Sequence, residues 1–247
     1  MSTADTLPDL RLFGEPALQL GGRWFAWRRE QRFRLLGYLA VEARPVDRDE
    51  LACLFWPDEP AELREIWSTY YRAMGDLAAA LMRLFALGLG LPEHHFEASI
   101  GRHISRLRVR NYPAPATPPQ PGQIRAGAHS DYGSLTILAT EDKPGGLQVC
   151  NAAGQWVDVP IVPGCFIINI GDLMARWTND TWVSTLHRVV NPPADQAAGS
   201  RRQSLVFFHN PDYDAVIENL IAGQTAKYAP TTSGEHLRQM FTATQNG

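Results

Sequence analysis

Between Arg106 and His209 the chain breaks into eight short apolar-rich runs separated by Gly, Pro, Asn or Asp. They are Arg106 to Arg110, Ile124 to His129, Ser134 to Thr140, Gly146 to Cys150, Trp156 to Val159, Cys165 to Ile170, Ser184 to Val190 and Ser204 to His209. Runs this short, closed by turn formers, predict antiparallel strands and not helices. So many in series favour two sheets packed face to face, a jelly roll with its helices outside. A Pro-rich stretch from Pro113 to Gly122 reads as an extended loop between the first two strands.

The second run carries chemistry at its end, in Ala126-Gly-Ala-His-Ser-Asp131. Strand side chains alternate faces with a period of two, so His129 and Asp131 are expected to point the same way. An imidazole and a carboxylate on one face supply two of the three ligands of a facial triad for non-haem Fe(II). The triad needs a second imidazole from another strand, and His187 in Ser184-Thr-Leu-His-Arg-Val-Val190 is the candidate. Arg202 and Ser204 again lie two apart on one strand. A guanidinium presents a planar fork that fits a carboxylate bidentately, which a lysine does not. The plainer alternative makes Arg201 and Arg202 a solvated pair after Gly199-Ser200. Val206 and Phe208 follow Ser204 on the same inward face, as candidate cavity lining. His209 falls on the opposite face, and His94, His95, His103 and His236 read as surface or loop residues. None of these five is counted as a ligand.

Composition narrows the function classes. With 247 residues, 45% hydrophobic and 20% charged, the chain can bury a sizeable core. A net charge of −3 gives no electrostatic reason for a nucleic-acid or anionic-membrane partner. The most apolar stretch, Leu77 to Leu91, is too short to span a bilayer. No secretory signal is visible at the start. Cys53, Cys150 and Cys165 are widely spaced, which argues against a disulfide framework and makes a reducing cytoplasm the expected compartment.

Ahead of the strands the pattern changes. Residues 10–27 alternate weakly around Gly14, Pro16 and Gly21-Gly22, predicting short antiparallel strands with tight turns. Residues 28–42 and 47–56 read as helices, the second with Asp47 as N-cap. Leu10-Arg-Leu-Phe-Gly14, Leu36-Gly-Tyr-Leu-Ala40 and Arg44-Pro-Val-Asp-Arg-Asp-Glu-Leu51 through Trp56-Pro57 resemble the N-terminal winged-helix part of bacterial transcriptional activators of the antibiotic-regulatory type. The element that would enter the major groove is not matched. In its place a long amphipathic helix is expected over 61–85, with an apolar stripe through Leu63, Ile66, Trp67, Tyr70, Met74, Leu77, Leu81, Leu84 and Phe85. Gly88, Gly90 and Pro92 should stop it.

From Trp56 onward the chain resembles a different family, the 2-oxoglutarate and Fe(II)-dependent oxygenases of the isopenicillin N synthase type. The resemblance rests on Trp56-Pro-Asp-Glu-Pro-Ala-Glu-Leu-Arg64, Leu89-Gly-Leu-Pro92, and the order His129-x-Asp131, His187, Arg202-Gln-Ser204. It implies a jelly-roll barrel (a double-stranded β-helix) with flanking helices. Fe(II) would sit on His129, Asp131 and His187, and 2-oxoglutarate on Arg202 and Ser204. Tyr112, before Pro113, would line the cosubstrate end; a buried tyrosine merely satisfying its hydroxyl is the plainer reading. The implied reaction is oxidation of a small molecule (hydroxylation, desaturation or cyclisation) that consumes O2 and releases succinate and CO2. The chain is thus expected to be a fusion: residues 1–57 a partial winged-helix-like α+β segment, and 58–247 an oxygenase domain lacking its usual N-terminal part. A winged-helix regulator carrying a ligand-sensing or inactive barrel is the alternative. An unpaired barrel edge is expected unless residues 10–27 pair there. Asp172 to Trp177 should form a short helix, and the tail from Asp214 to Met240 two helical pieces.

Overall fold

The computed structural model describes residues 10–11, 17–20, 23–26 and 61–245. The chain divides into two compact units, residues 1–67 and 68–247. In the first, β1 (Leu10–Arg11), β2 (Ala17–Leu20) and β3 (Arg23–Ala26) form an antiparallel sheet in the order β1-β2-β3. The strands expected over 10–27 are therefore present, and they pair with one another. The helices expected over 28–42 and 47–56 lie outside the described residues.

The second unit is built on two four-stranded sheets. One contains β4 (Arg106–Tyr112), β6 (Leu135–Thr140), β9 (Ile167–Ile170) and β11 (Arg202–His209), in the order β4-β11-β6-β9. The other contains β5 (Ala126–His129), β7 (Leu147–Cys150), β8 (Trp156–Asp158) and β10 (His187–Val189), in the order β5-β10-β7-β8. All pairings are antiparallel. The architecture is mainly β with flanking helices, consistent with the expected jelly roll. Among the described residues β4 stands at the edge of its sheet.

Alternation along β6 and β11 sorts two environments. Leu135, Ile137 and Phe207 are almost fully buried on one face. They meet Met74, Ala78, Met82 and Ala86 of the long helix Ala61–Gly88, with Leu173, Met174 and Trp177 of the short helix Asp172–Trp177. The helical contact line is an i, i+4 row in which two alanines allow close approach to the sheet. It is narrower than the stripe expected from the sequence, and Leu84 is left 62% exposed. Gly90, at φ +72°, follows the helix end as expected.

His209 does point away from the cavity, as alternation predicts. That side is covered by helices, so its ring is 1% exposed and pairs with Ser134 Oγ at 2.7 Å. Burial pushes its pKa down to about 3, with His103 nearby adding to the effect. His236, expected at the surface, is also buried, its Nε2 3.2 Å from the Tyr132 carbonyl. A histidine held neutral below its unfolded value of about 6.5 binds fewer protons folded than unfolded. Its stabilisation is complete above that value and drains as pH falls towards 3. At about 1.4 kcal/mol per pH unit, His209 alone should remove about 2 kcal/mol between pH 6.5 and 5. Urea midpoints at pH 7.5 and 5 should show this loss, and His209→Gln should flatten the dependence.

The tail departs from expectation. In place of its first helical piece, β12 (Val216–Ile217) pairs with β13 (Thr231–Thr232) around an irregular loop. Asn219 explains the difference: its side chain accepts from Ile221 N and donates to the Ile221 and Gln224 carbonyls. Such local bonding competes with a helical ladder. The second piece is a helix, Ser233–Gln245, with Thr232 Oγ1 accepting from Glu235 N as its cap.

Candidate metal and cosubstrate site

The sheet whose other face meets the helices borders a cavity of about 540 Å³, lined by Tyr112, His129, Asp131, His187, Arg202 and Ser204 among others. His129 and His187 are direct cross-strand partners on β5 and β10, their ring centroids 4.3 Å apart. Asp131 lies just past the end of β5, so it reaches the pair from the turn and not from the strand. Its Oδ1 is 3.7 Å from His187 Nε2. One potential donor atom from each of the three residues falls within a 4.8 Å cluster.

The surroundings orient these donors. His129 Nδ1 is 2.7 Å from the Gly127 carbonyl, and His187 Nδ1 is 3.0 Å from that of Thr185. Each ring donates through Nδ1 to a carbonyl, which leaves Nε2 as a lone-pair donor towards a metal. Asp131 is 6% exposed, and its Oδ2 accepts from Thr136 Oγ1 at 2.7 Å and Asn169 Nδ2 at 2.9 Å. Both bonds fall on one oxygen, so Oδ1 remains open on the histidine side. Two imidazoles and one carboxylate, each anchored from behind, fit a hard-to-borderline divalent cation.

Two close backbone approaches set the turn carrying Asp131. A Cβ on Gly133 would meet the His209 carbonyl oxygen at 2.2 Å, and one on Gly171 would meet the Gly133 carbonyl oxygen at 2.2 Å. With no side chain there, Asp172 N donates to the Asp131 carbonyl at 2.7 Å and Leu173 N to the Gly133 carbonyl at 3.1 Å. Ser130 Oγ adds a bond to Asp172 Oδ2 at 3.0 Å.

The register of β11 with β4 places Arg202 opposite Tyr112 and Ser204 opposite Arg110, all on the cavity face. Arg202 is 2% exposed, so the reading of it as a solvated loop residue fails. Its guanidinium lies 5.1 Å from the centre of the Tyr112 ring, and its Nε is buried with no hydrogen-bond partner. It forms no ion pair among the described residues. Burial pushes its pKa below the usual arginine value, with Tyr112 opposing the shift. A buried guanidinium with unfilled donors is a costly arrangement unless a ligand carboxylate completes it. Ser204 Oγ is 2.8 Å from Thr140 Oγ1 beside it. Val206 and Phe208 line the cavity as expected.

The matching family model is the 2OG-Fe(II) oxygenase superfamily, over residues 103–211. The chain carries a 2OG-Fe(II) oxygenase domain. Fe(II) and 2-oxoglutarate are the cofactors of such a domain. A homoarginine-6-hydroxylase of Oryza sativa subsp. japonica is 35% identical over 192 residues, covering 74% of this chain and 57% of the relative. A validamycin A dioxygenase of Streptomyces hygroscopicus subsp. limoneus is 36% identical, covering 68% and 46%. The chain thus spans about half the length of the curated relatives it matches. Among solved structures, a full-length Neurospora crassa protein in complex with alpha-KG superposes with a TM-score of 0.70 at 34% identity, covering 76% of this chain and 64% of that one. A putative 2OG-Fe(II) oxygenase family protein from Caulobacter crescentus gives 0.69 at 31% identity, covering 83% and 65%.

Sequence reasoning missed Thr136 and Asn169 beneath Asp131. Asn169 left a signal, a lone amide inside the apolar run Phe166-Ile-Ile-Asn-Ile170 of the oxygenase domain. Thr136→Val with Asn169→Leu would free Oδ2 to rotate and compete for the metal. Fe(II) affinity should fall roughly 10- to 100-fold in anaerobic titrations.

Proposed function

We propose that residues 58–247 act as an Fe(II)- and 2-oxoglutarate-dependent oxygenase of a small molecule, with His129, Asp131 and His187 as the metal ligands. Arg202 and Ser204 receive the distal carboxylate of 2-oxoglutarate, and Tyr112 shields the Arg202 guanidinium from solvent. The observation carrying this reading is the pairing of an open three-donor set with a buried, unpartnered guanidinium in one cavity. When bound, iron with 2-oxoglutarate supplies the activation of O2 and releases succinate and CO2. The chain's own part is positional. Two cross-strand imidazoles and a two-point-anchored carboxylate fix the metal geometry, the Arg202 fork orients the cosubstrate, and apolar residues such as Val206 exclude water.

Hydroxylation is the outcome favoured by the named hydroxylase among the relatives. The isopenicillin N synthase type remains our subfamily assignment, resting on the Arg202-Gln-Ser204 motif. For residues 1–57 we retain a partial winged-helix-like segment, for which the antiparallel β1-β2-β3 sheet is the support. Nucleic acid is not proposed as a partner. No described helix is long and apolar enough to cross a membrane, and free Cys150 and Cys165 suit a reducing cytoplasm.

The test is anaerobic addition of Fe(II) and then 2-oxoglutarate to the full chain. A weak visible charge-transfer band should develop on the second addition only. Folded protein that gives no band overturns the reading.

A further inference from the structure

Three arginines follow one another on the cavity face of β4. Its register with β11 sets Arg110 opposite Ser204, Arg108 opposite Val206 and Arg106 opposite Phe208, in line with Tyr112 opposite Arg202. Residues two apart on a strand project from the same face, so these like charges repel one another. Among the described residues no carboxylate relieves them. Arg106 lies 5.0 Å from the centre of the Phe241 ring and Arg108 5.7 Å from that of Phe208, while the Arg110 side chain makes no hydrogen bond or ion pair among the described residues. Burial pushes the Arg108 pKa down, and its two arginine neighbours push it further.

A second unfilled cation faces the same cavity. Arg125 gives Nη2 to the carbonyls of Pro113 and Ser200 and to Ser200 Oγ, at 3.2, 3.1 and 2.8 Å. Its Nη1 is buried and has no hydrogen-bond partner among the described residues. The described cavity lining thus holds Arg110, Arg125 and Arg202, against Asp131 as the single carboxylate. With the metal and cosubstrate assigned above, Fe(II) is balanced by Asp131 and one carboxylate of 2-oxoglutarate, and the distal carboxylate by Arg202. Arg110 and Arg125 are left over. Two uncompensated guanidinium groups in a recess attract an anion and hold it by charge-assisted bonds. Next to them the wall is apolar, with Leu138, Leu147, Val189 and Phe208.

We propose that the substrate is an organic oxyanion: an apolar body bearing a carboxylate or phosphate that Arg110 and Arg125 receive. The plainer role for the row is an edge guard, since charges on a sheet edge deter pairing with other chains. That role explains the positive charge on β4. It does not explain why Arg125, on the far side of the Pro-rich loop, lines the same cavity with its charge unpaired among the described residues.

This inference rests on the iron and 2-oxoglutarate assignment, and the experiment keeps the two apart. The full chain is loaded anaerobically with Fe(II) and saturating 2-oxoglutarate, and the visible band is recorded first. 3-Phenylpropionate, 3-phenylpropionamide and phenethyl phosphate are then titrated by calorimetry, and persistence of the band shows that 2-oxoglutarate is not displaced. We expect the carboxylate or the phosphate to bind at least tenfold more tightly than the amide, and the stronger of the two identifies the anion. Arg110→Gln, exposed on an edge strand, should collapse that preference while keeping the band, and added salt should weaken it. Equal binding of acid and amide, no binding by either anion, or a preference unchanged in Arg110→Gln overturns the inference with the band intact. Absence of the band overturns the parent assignment and this inference with it.

Discussion

His187→Ala should bind Fe(II) at least about a hundredfold more weakly than the parent chain and give no visible band with 2-oxoglutarate. Replacing a residue that merely supports a metal ligand commonly weakens binding by 10- to 100-fold, so loss of a ligand sets that range as a floor. His187 is the cross-strand partner of His129, with its Nε2 3.7 Å from Asp131 Oδ1, so its removal leaves two donors without their third. The fold should survive, because β10 keeps its backbone pairing to both β5 and β7. Circular dichroism like the parent's, with no Fe(II) heat in calorimetry, is the expected pair of results. A variant that retains near-parent Fe(II) affinity would remove His187 from the site.

Arg202→Met separates binding from stability at one position. In the parent, the guanidinium is buried, and among the described residues its Nε has no hydrogen-bond partner and no carboxylate pairs with it. An apolar side chain of similar length removes that unfilled charge, so the protein without cosubstrate should melt no lower than the parent. With 2-oxoglutarate the order should reverse. Losing one partner of a buried, hydrogen-bonded charge pair costs about 2–5 kcal/mol, so cosubstrate affinity should fall roughly 30-fold or more. The thermal shift on adding 2-oxoglutarate should shrink accordingly. Arg202→Lys should not restore it, since a point charge cannot replace the planar fork. A variant that keeps the parent's full shift would place the cosubstrate elsewhere.

Much of this was legible in residue spacing. Alternation places Arg202, Ser204, Val206 and Phe208 on one face, and the β11 register bears that out to the residue. It also leads to His129 and Asp131, though for Asp131 the actual device is a turn just past the strand end. What escaped was whatever depends on a distant segment closing over a surface. His209 was placed on the correct face, but its burial there was hidden, because a strand pattern does not reveal that Met82 and Trp177 cover its neighbours Phe207 and Leu135. Leu84 read as core because periodicity fixes a stripe's direction only to within its own width. Asn219 read as helical because its side-chain bonds to Ile221 and Gln224 exist only once the loop has closed. Thr136 and Asn169 were invisible as partners of Asp131 for the same reason: β6 and β9 must pair before the two side chains meet one carboxylate oxygen.

Gly133 and Gly171 give the site an unusual kind of support. The turn bearing Asp131 is held where backbone from 133, 171 and 209 meets at distances that no side chain could share. Neither glycine has a side chain to touch metal, cosubstrate or substrate. They are spacers, and the first methyl group added to either would push the carboxylate's own backbone out of register with the two imidazoles. Geometry at the metal is thus partly written in empty volume, at positions a search for functional groups would pass over.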